Sequence, residues 1–184
     1  REFYNANLRY TKERTVIIIS DAMRYEVGQE LFARMQDDPK CTAKLSVQLS
    51  VLPSYTRLGM AALLPHKTLE MTDDFQVLVD GILCDNLAGR QQVLQSYVPD
   101  SVCIQFDVIK SMKVADLRDV LTKRQVIYVY HNQIDARGDK PNTEDEVFNA
   151  CEEAVQEIMD LIRRINGRRK YPSLYRNGRP RLYL

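Results

Sequence analysis

Glycine and proline are scarce, seven of each in 184 residues, which excludes collagen-like and low-complexity chains. Tryptophan is absent, and histidine occurs twice, at His66 and His131, so a histidine-rich metal site cannot be assembled. Long apolar runs are missing too. Val16-Ile-Ile-Ile19 and Ala61-Ala-Leu-Leu64 are the strongest, far below the roughly 20 residues that span a bilayer, so no membrane partner is expected. No basic-then-apolar leader precedes them, and a cytoplasmic location is expected. Cys41, Cys84, Cys103 and Cys151 stand far apart, which excludes zinc-finger and paired redox motifs and predicts buried free thiols. There is no glycine-rich phosphate loop and no G-x-S-x-G elbow.

What remains is the composition of an ordinary folded protein, 45% apolar and 28% charged, of a length that suits one domain. The net charge of +1 hides an asymmetry. Residues 168–184 hold six cations and no acid, which leaves 20 basic against 25 acidic residues, a net −5, in 1–167. The basic, tyrosine-bearing tail suits phosphates and stacked bases or is a solvated terminus. The first residue is Arg1, which predicts a piece of a larger protein.

Thr15–Ser20 is a β-branched run of the kind found in strands covered on both faces. Residues 24–36 repeat Val27, Leu31 and Met35 at helical spacing, and Asp37-Asp-Pro39 stops them. Residues 44–52 place Leu45, Val47, Leu49 and Val51 at period two, which predicts a strand. A short helix over 56–63 follows, ended by Pro65. Residues 67–83 read as a hairpin about Thr72-Asp-Asp74, 86–97 and 113–124 as helices, and 101–106 and 126–131 as strands. Helix 144–165 is the clearest element. Thr143 and Glu146 fit a capping box, Val147, Phe148, Cys151, Val155, Ile158, Leu161, Ile162 and Ile165 mark one face, and Asn166-Gly167 ends it. Strands alternating with helices predict an α/β fold with a mainly parallel sheet and helices on both faces. No strand or helix pattern is visible beyond Gly167.

Ligands of such sheets bind beyond the carboxyl ends of the strands. Three polar segments fall there. Asp21 follows the first strand and admits two readings, a metal ligand or a helix N-cap. Thr56 opens a helix, where its hydroxyl serves either as a cap or in phosphoryl chemistry favoured by the helix N-terminus. Arg57 is either a phosphate contact or a solvated cation. Asp135 and Asp139 flank Gly138 and offer the oxygen donors that hard metals and zinc accept, or form a solvated acidic loop. The embedded Arg137-Gly-Asp139 resembles an adhesion tripeptide, which a chain without a secretory signal does not need. His66, beside Pro65, reads as a loop residue.

Together the segments Ile17-Ile-Ile-Ser-Asp21-Ala-Met-Arg24-Tyr-Glu26, Leu52-Pro-Ser-Tyr-Thr56-Arg-Leu-Gly-Met60 and Tyr130-His-Asn-Gln-Ile-Asp135-Ala-Arg-Gly-Asp139 resemble the PglZ domain of bacterial BREX phage-exclusion systems, closest to its type A branch. That domain is similar to the alkaline phosphatase superfamily. The resemblance covers residues 14–167. It implies Asp21 as the first metal-binding aspartate and Thr56 as the transiently phosphorylated nucleophile. Asp135 and Asp139 fall where related enzymes carry Asp-x-x-Gly-His, with Asp139 in place of the histidine. Two divalent metals, zinc in most such enzymes, would flank an in-line displacement and activate the hydroxyl.

The superfamily has a further strand ending in Asp-His after the long helix, and a later histidine. No Asp, Glu or His follows Gly167 here. The reading is therefore a partial PglZ domain over 1–167, truncated on its C-terminal side, and a basic irregular tail over 168–184. The parent would be a metal-dependent phosphatase acting with other BREX defence proteins, and this chain would show little or no turnover. The alternative is a non-catalytic interaction module of a defence complex.

Overall fold

A computed structural model describes residues 2–38, 41–138, 144–166 and 181–183. The chain forms two compact units: Arg1–Ile19, Leu49–Tyr130 and Pro180–Leu184 make the first, and Ser20–Gln48 and His131–Arg179 the second.

The first unit is built on a four-stranded sheet. Its strands are β1 (Thr15–Ser20), β5 (Ser101–Gln105), β6 (Val126–His131) and β7 (Arg181–Tyr183), in the order β5-β6-β1-β7. Register runs Ser101↔Val126 to Gln105↔Tyr130 and Thr15↔Arg181 to Ile17↔Tyr183, both parallel. Between β1 and β6, Thr15 N–H donates to Gln125 O and Asp21 N–H to His131 O, at 2.8 Å each. Both residue numbers rise together, so this pair is parallel as well. Ile17, Cys103, Val126, Tyr128 and Tyr130 join one core, while Val16, Ile18, Ile127 and Val129 are equally buried. Both sheet faces are thus covered, which is why these strands are continuously apolar. The three residues of β7 lie in the tail that carries no strand pattern of its own. There the pairing with β1, and the edge contact of Tyr183 with Phe3 at 5.9 Å, supply what local sequence does not.

The core is completed by α1 (Glu2–Asn7), which the sequence did not announce, α3 (Thr56–Ala62), α4 (Leu87–Tyr97) and a small antiparallel sheet. That sheet is β2 (Leu69–Met71), β3 (Val77–Val79) and β4 (Ile82–Leu83). The expected turn closes through Thr72, whose N–H bonds Gln76 O at 2.9 Å. A second turn at Asp80-Gly81, both at positive φ (49° and 78°), adds β4; aspartate and glycine are the residues such a turn demands. Asp80 Oδ1 accepts the Lys67 and Thr68 amides at 2.9 and 2.7 Å, and Oδ2 accepts the Tyr97 hydroxyl at 2.5 Å. Helix α4 is capped by Asn86, whose side chain accepts Gly89 N–H at 2.9 Å. Gly89 packs on β4: a Cβ there would meet Leu83 O at 1.8 Å. Arg90 is buried, donates to the Cys84 carbonyl at 3.3 Å and lies 4.8 Å from the Tyr130 ring. The expected helix over 113–124 is preceded by a short one, so the segment forms α5 (Phe106–Ser111) and α6 (Val114–Lys123).

The second unit holds α2 (Tyr25–Gln36), α7 (Gln133–Gly138) and α8 (Glu144–Ile165). Leu31 and Met35 of α2 are buried, as are Ala150, Ala154, Val155, Ile158, Met159, Leu161, Ile162 and Ile165 of α8. Each large apolar side chain so buried contributes about 1.5–3 kcal/mol. Arg34 joins α2 to α8 through two bonds to Glu152, at 2.7 and 2.8 Å. Phe148 departs from the expected face and is 73% exposed. The Thr143–Glu146 capping box lies outside the residues whose side chains are described.

The strand expected over 44–52 does not form. Residues 41–51 belong to no helix or ladder, and Val47 and Leu49 are 78% and 97% exposed. Alternation supplies one apolar face, but a strand exists only where a neighbour takes up its backbone groups. None of the four cysteines is in a disulfide, and the expected burial holds for Cys84 and Cys103, while Cys41 and Cys151 are half-buried. No helix among the described residues is long and apolar enough to cross a membrane.

Candidate functional site at the strand ends

The ends of the adjacent strands β1 and β6 position two of the expected residues. Asp21 follows β1 directly and is half-buried. Its Oδ1 accepts the Ala22 amide at 3.0 Å, and Ala22 adopts a left-handed φ of 59°. That turn delays α2 until Tyr25, so its N-cap is Arg24, which makes no side-chain cap bond. Asp21 is therefore not the cap, and the carboxylate stands at the strand end instead. Asp135 lies four residues beyond β6, half-buried, in the first turn of α7. The expected loop around Gly138 is helical up to that residue. Asp139 lies outside the described residues.

Between these ends runs a chain of polar groups that sequence patterning missed. Ser20 Oγ lies 2.8 Å from His131 Nδ1, and His131 Nε2 lies 3.3 Å from Glu157 Oε2 on α8. His131 is wholly buried. A carboxylate only accepts hydrogen bonds, so in the neutral ring Nε2 carries the proton and Nδ1 accepts from Ser20. Its partners lie 111 residues before and 26 after it, a spacing with no local signature. The one clue is a histidine closing an otherwise apolar and aromatic strand.

Thr56 and Arg57 belong to the other unit. Thr56 is the first residue of α3, exposed, with Tyr55 as the N-cap, so its hydroxyl does not cap the helix. Arg57 is neither simply solvated nor free. It pairs with Asp85 at 3.5 Å and lies 6.0 Å from the Tyr55 ring. Asp85 also accepts Val77 N–H at 3.0 Å, which ties the arginine to the small sheet.

Thiol chemistry has no place in the first unit's core. Burial pushes the Cys84 thiol up to about 11 and Cys103 to about 12, so neither forms a thiolate near neutrality. Among the described residues no group of three or more His, Cys, Asp or Glu is able to hold a metal ion. Asp21 and Asp135 are oxygen donors of the right kind, but two carboxylates fall short of the four ligands a zinc ion takes. The described residues do not fit a complete metal centre.

A parallel α/β sheet of this kind, with carboxylates following the ends of neighbouring strands, is consistent with an alkaline-phosphatase-like fold. The chain matches the family described as "BREX system PglZ alkaline phosphatase-like domain" over residues 3–171, and it belongs to that family. It is 39% identical over 169 residues to "Alkaline phosphatase-like protein BrxZ" of Escherichia coli O9:H4 (strain HS), covering 91% of this chain and 19% of that one. It is 40% identical over 151 residues to "Alkaline phosphatase-like protein PglZ" of Bacillus cereus (strain H3081.97), covering 82% and 18%. The chain therefore spans about a fifth of the length of these relatives. No solved structure matches it.

Proposed function

We propose that this chain is the nucleophile-bearing segment of a PglZ-type phosphoester hydrolase that works with other BREX phage-defence proteins in the cytoplasm. Thr56 supplies the attacking hydroxyl and Arg57, once released from Asp85, a phosphate contact. Asp21, Asp135 and Asp139 are the proposed ligands of divalent metal, zinc foremost. The observation that carries the reading is the family match over residues 3–171, and Asp21 beyond the end of β1 supports it. A bound metal would lower the hydroxyl pKa of a threonine, which is otherwise a weak nucleophile. The described ligand set is short, so this chain alone should show little or no turnover.

A second reading, a non-catalytic interaction module of a defence complex, draws support from the engagement of Arg57 with Asp85. A chromogenic phosphoester assay with added zinc or manganese separates the two. In the full-length protein that carries this segment, Thr56→Ala should cut turnover by roughly 10³-fold or more, while the 184-residue chain stays near background. Absence of turnover from the full-length protein favours the module. Robust turnover by the short chain, abolished by Thr56→Ala, would keep the nucleophile and overturn the incomplete site.

A further inference from the structure

We propose that His131 is a positioning residue that fixes the carboxyl end of β1 and, through Ser20, the orientation of Asp21. The inference deepens the phosphoester reading and rests on it in one respect, that Asp21 is a functional carboxylate.

Three features set this imidazole apart from a histidine that only fills space. It is wholly buried, yet both ring nitrogens are engaged, Nδ1 by Ser20 Oγ at 2.8 Å and Nε2 by Glu157 Oε2 at 3.3 Å. Its own carbonyl accepts Asp21 N–H at 2.8 Å, so β1 and β6 are joined at this point by a backbone bond and a side-chain bond on consecutive residues. The chain then turns sharply, with Ala22 at φ 59° and its amide on Asp21 Oδ1. Asp21 is thereby held from both sides: its amide and the preceding side chain by His131, its carboxylate by the turn.

The direction of the hydrogen bonds follows from the partners. Glu157 accepts, so Nε2–H donates to it; the other nitrogen then accepts the Ser20 proton. A hydroxyl that donates its proton to a buried ring has one orientation, and Ser20 passes that restraint to the next residue. Strand pairing without the ring would hold the backbone but leave the Ser20 hydroxyl free to rotate. Second-layer groups of this kind tune the residues they support without touching the ligand, and their loss commonly costs 10–100-fold in function.

The test is spectroscopic and needs no substrate. Long-range proton–nitrogen correlation of the His131 ring in the full chain should show the Nε2–H tautomer, and Glu157→Ala should mix the tautomers. Ser20→Ala should shift the Asp21 amide resonance and average its χ1 couplings while the melting temperature stays near that of the parent; Ser20→Thr should restore the single rotamer. An Nδ1–H ring, or Asp21 couplings indifferent to Ser20→Ala, would overturn the proposal. So would covalent labelling of Ser20 by a fluorophosphonate, which would mark it as a reactive nucleophile instead of an anchor. In the full-length phosphoester assay Ser20→Ala should lower kcat about tenfold at unchanged KM. If that assay shows no Thr56-dependent turnover, the phosphoester reading fails, while the ring tautomer and the Asp21 couplings still decide the positioning role.

Discussion

The antiparallel sheet of β2, β3 and β4 and the segment 44–52 that precedes α3 carry similar densities of Val and Leu, but they are held in opposite ways. In the small sheet Val77 and Val79 are fully buried, Asp80 and Asp85 accept backbone amides across turns, and Asn86 starts α4 over it. In 44–52 Val47 and Leu49 face solvent and no ladder forms. The difference teaches that apolar spacing proposes a strand and polar anchoring decides it. Each turn of the small sheet has a side chain that satisfies backbone donors, whereas Lys44, Ser46, Gln48 and Ser50 have no such bond among the described residues.

The largest effect should come from breaking the small sheet where α4 lies against it. Gly89→Ala places a methyl 1.8 Å from Leu83 O and 2.9 Å from its carbonyl carbon. Backbone cannot rotate away as a flexible side chain would. The cost should be on the order of 4 kcal/mol, read as a lowered urea midpoint or as failure to fold. Tolerance of alanine would mean that α4 and β4 do not approach this closely. Next comes Leu94→Ala, in the same helix and fully buried, which should cost about 2–4 kcal/mol through lost transfer and a residual cavity.

Much of this was legible from residues alone. The β-branched runs at 15–20 and 126–131 became β1 and β6 because both faces are covered, the condition their composition implies. Of the candidate site, the place of Asp21 at a strand end was legible, and that of Thr56 as the first residue of a helix. The Asp80-Gly81 turn was readable in principle, since the pair is a strong hairpin signal, and the single expected hairpin overlooked it. The Ser20, His131 and Glu157 chain was not readable, because nothing local marks residues that meet through strand pairing and helix docking. The tail strand β7 was hidden for the same reason: its stability comes from β1, not from Arg181, Leu182 and Tyr183 themselves.

A smaller, pH-dependent effect tests the polar anchoring directly. Burial alone would raise the Asp80 carboxyl, but the Tyr97 hydroxyl and the Thr68 and Lys67 bonds outweigh it and hold it below its ordinary 3.8. Burial, helped by the same contact, pushes the Tyr97 hydroxyl up to about 12. A carboxyl with a depressed folded pKa binds fewer protons folded than unfolded. Its stabilisation is then complete above 3.8 and is lost as pH falls through the lower folded value. Stability measured from pH 5 downward should fall less steeply in Asp80→Asn than in the parent, and the two should converge at the acid end. Parallel curves would show that Asp80 is not the anchor of this turn.

The smallest effect is expected where the same chemical change is made outside the packed core. Leu49→Ala removes the same atoms as Leu94→Ala, but Leu49 is 97% exposed, so there is no cavity to leave and almost no buried area to lose. Stability should move by no more than ~0.5 kcal/mol. If apolar periodicity alone held the segment, Leu49 and Leu94 would cost alike, since each sits in an apolar repeat of Leu and Val. A urea midpoint for Leu49→Ala within error of the parent, beside a clear drop for Leu94→Ala, places the stability in the anchored sheet and its helix. A drop of 2 kcal/mol or more at Leu49 would instead show that residues 44–52 pack in solution, and the contrast between the two regions would have to be withdrawn.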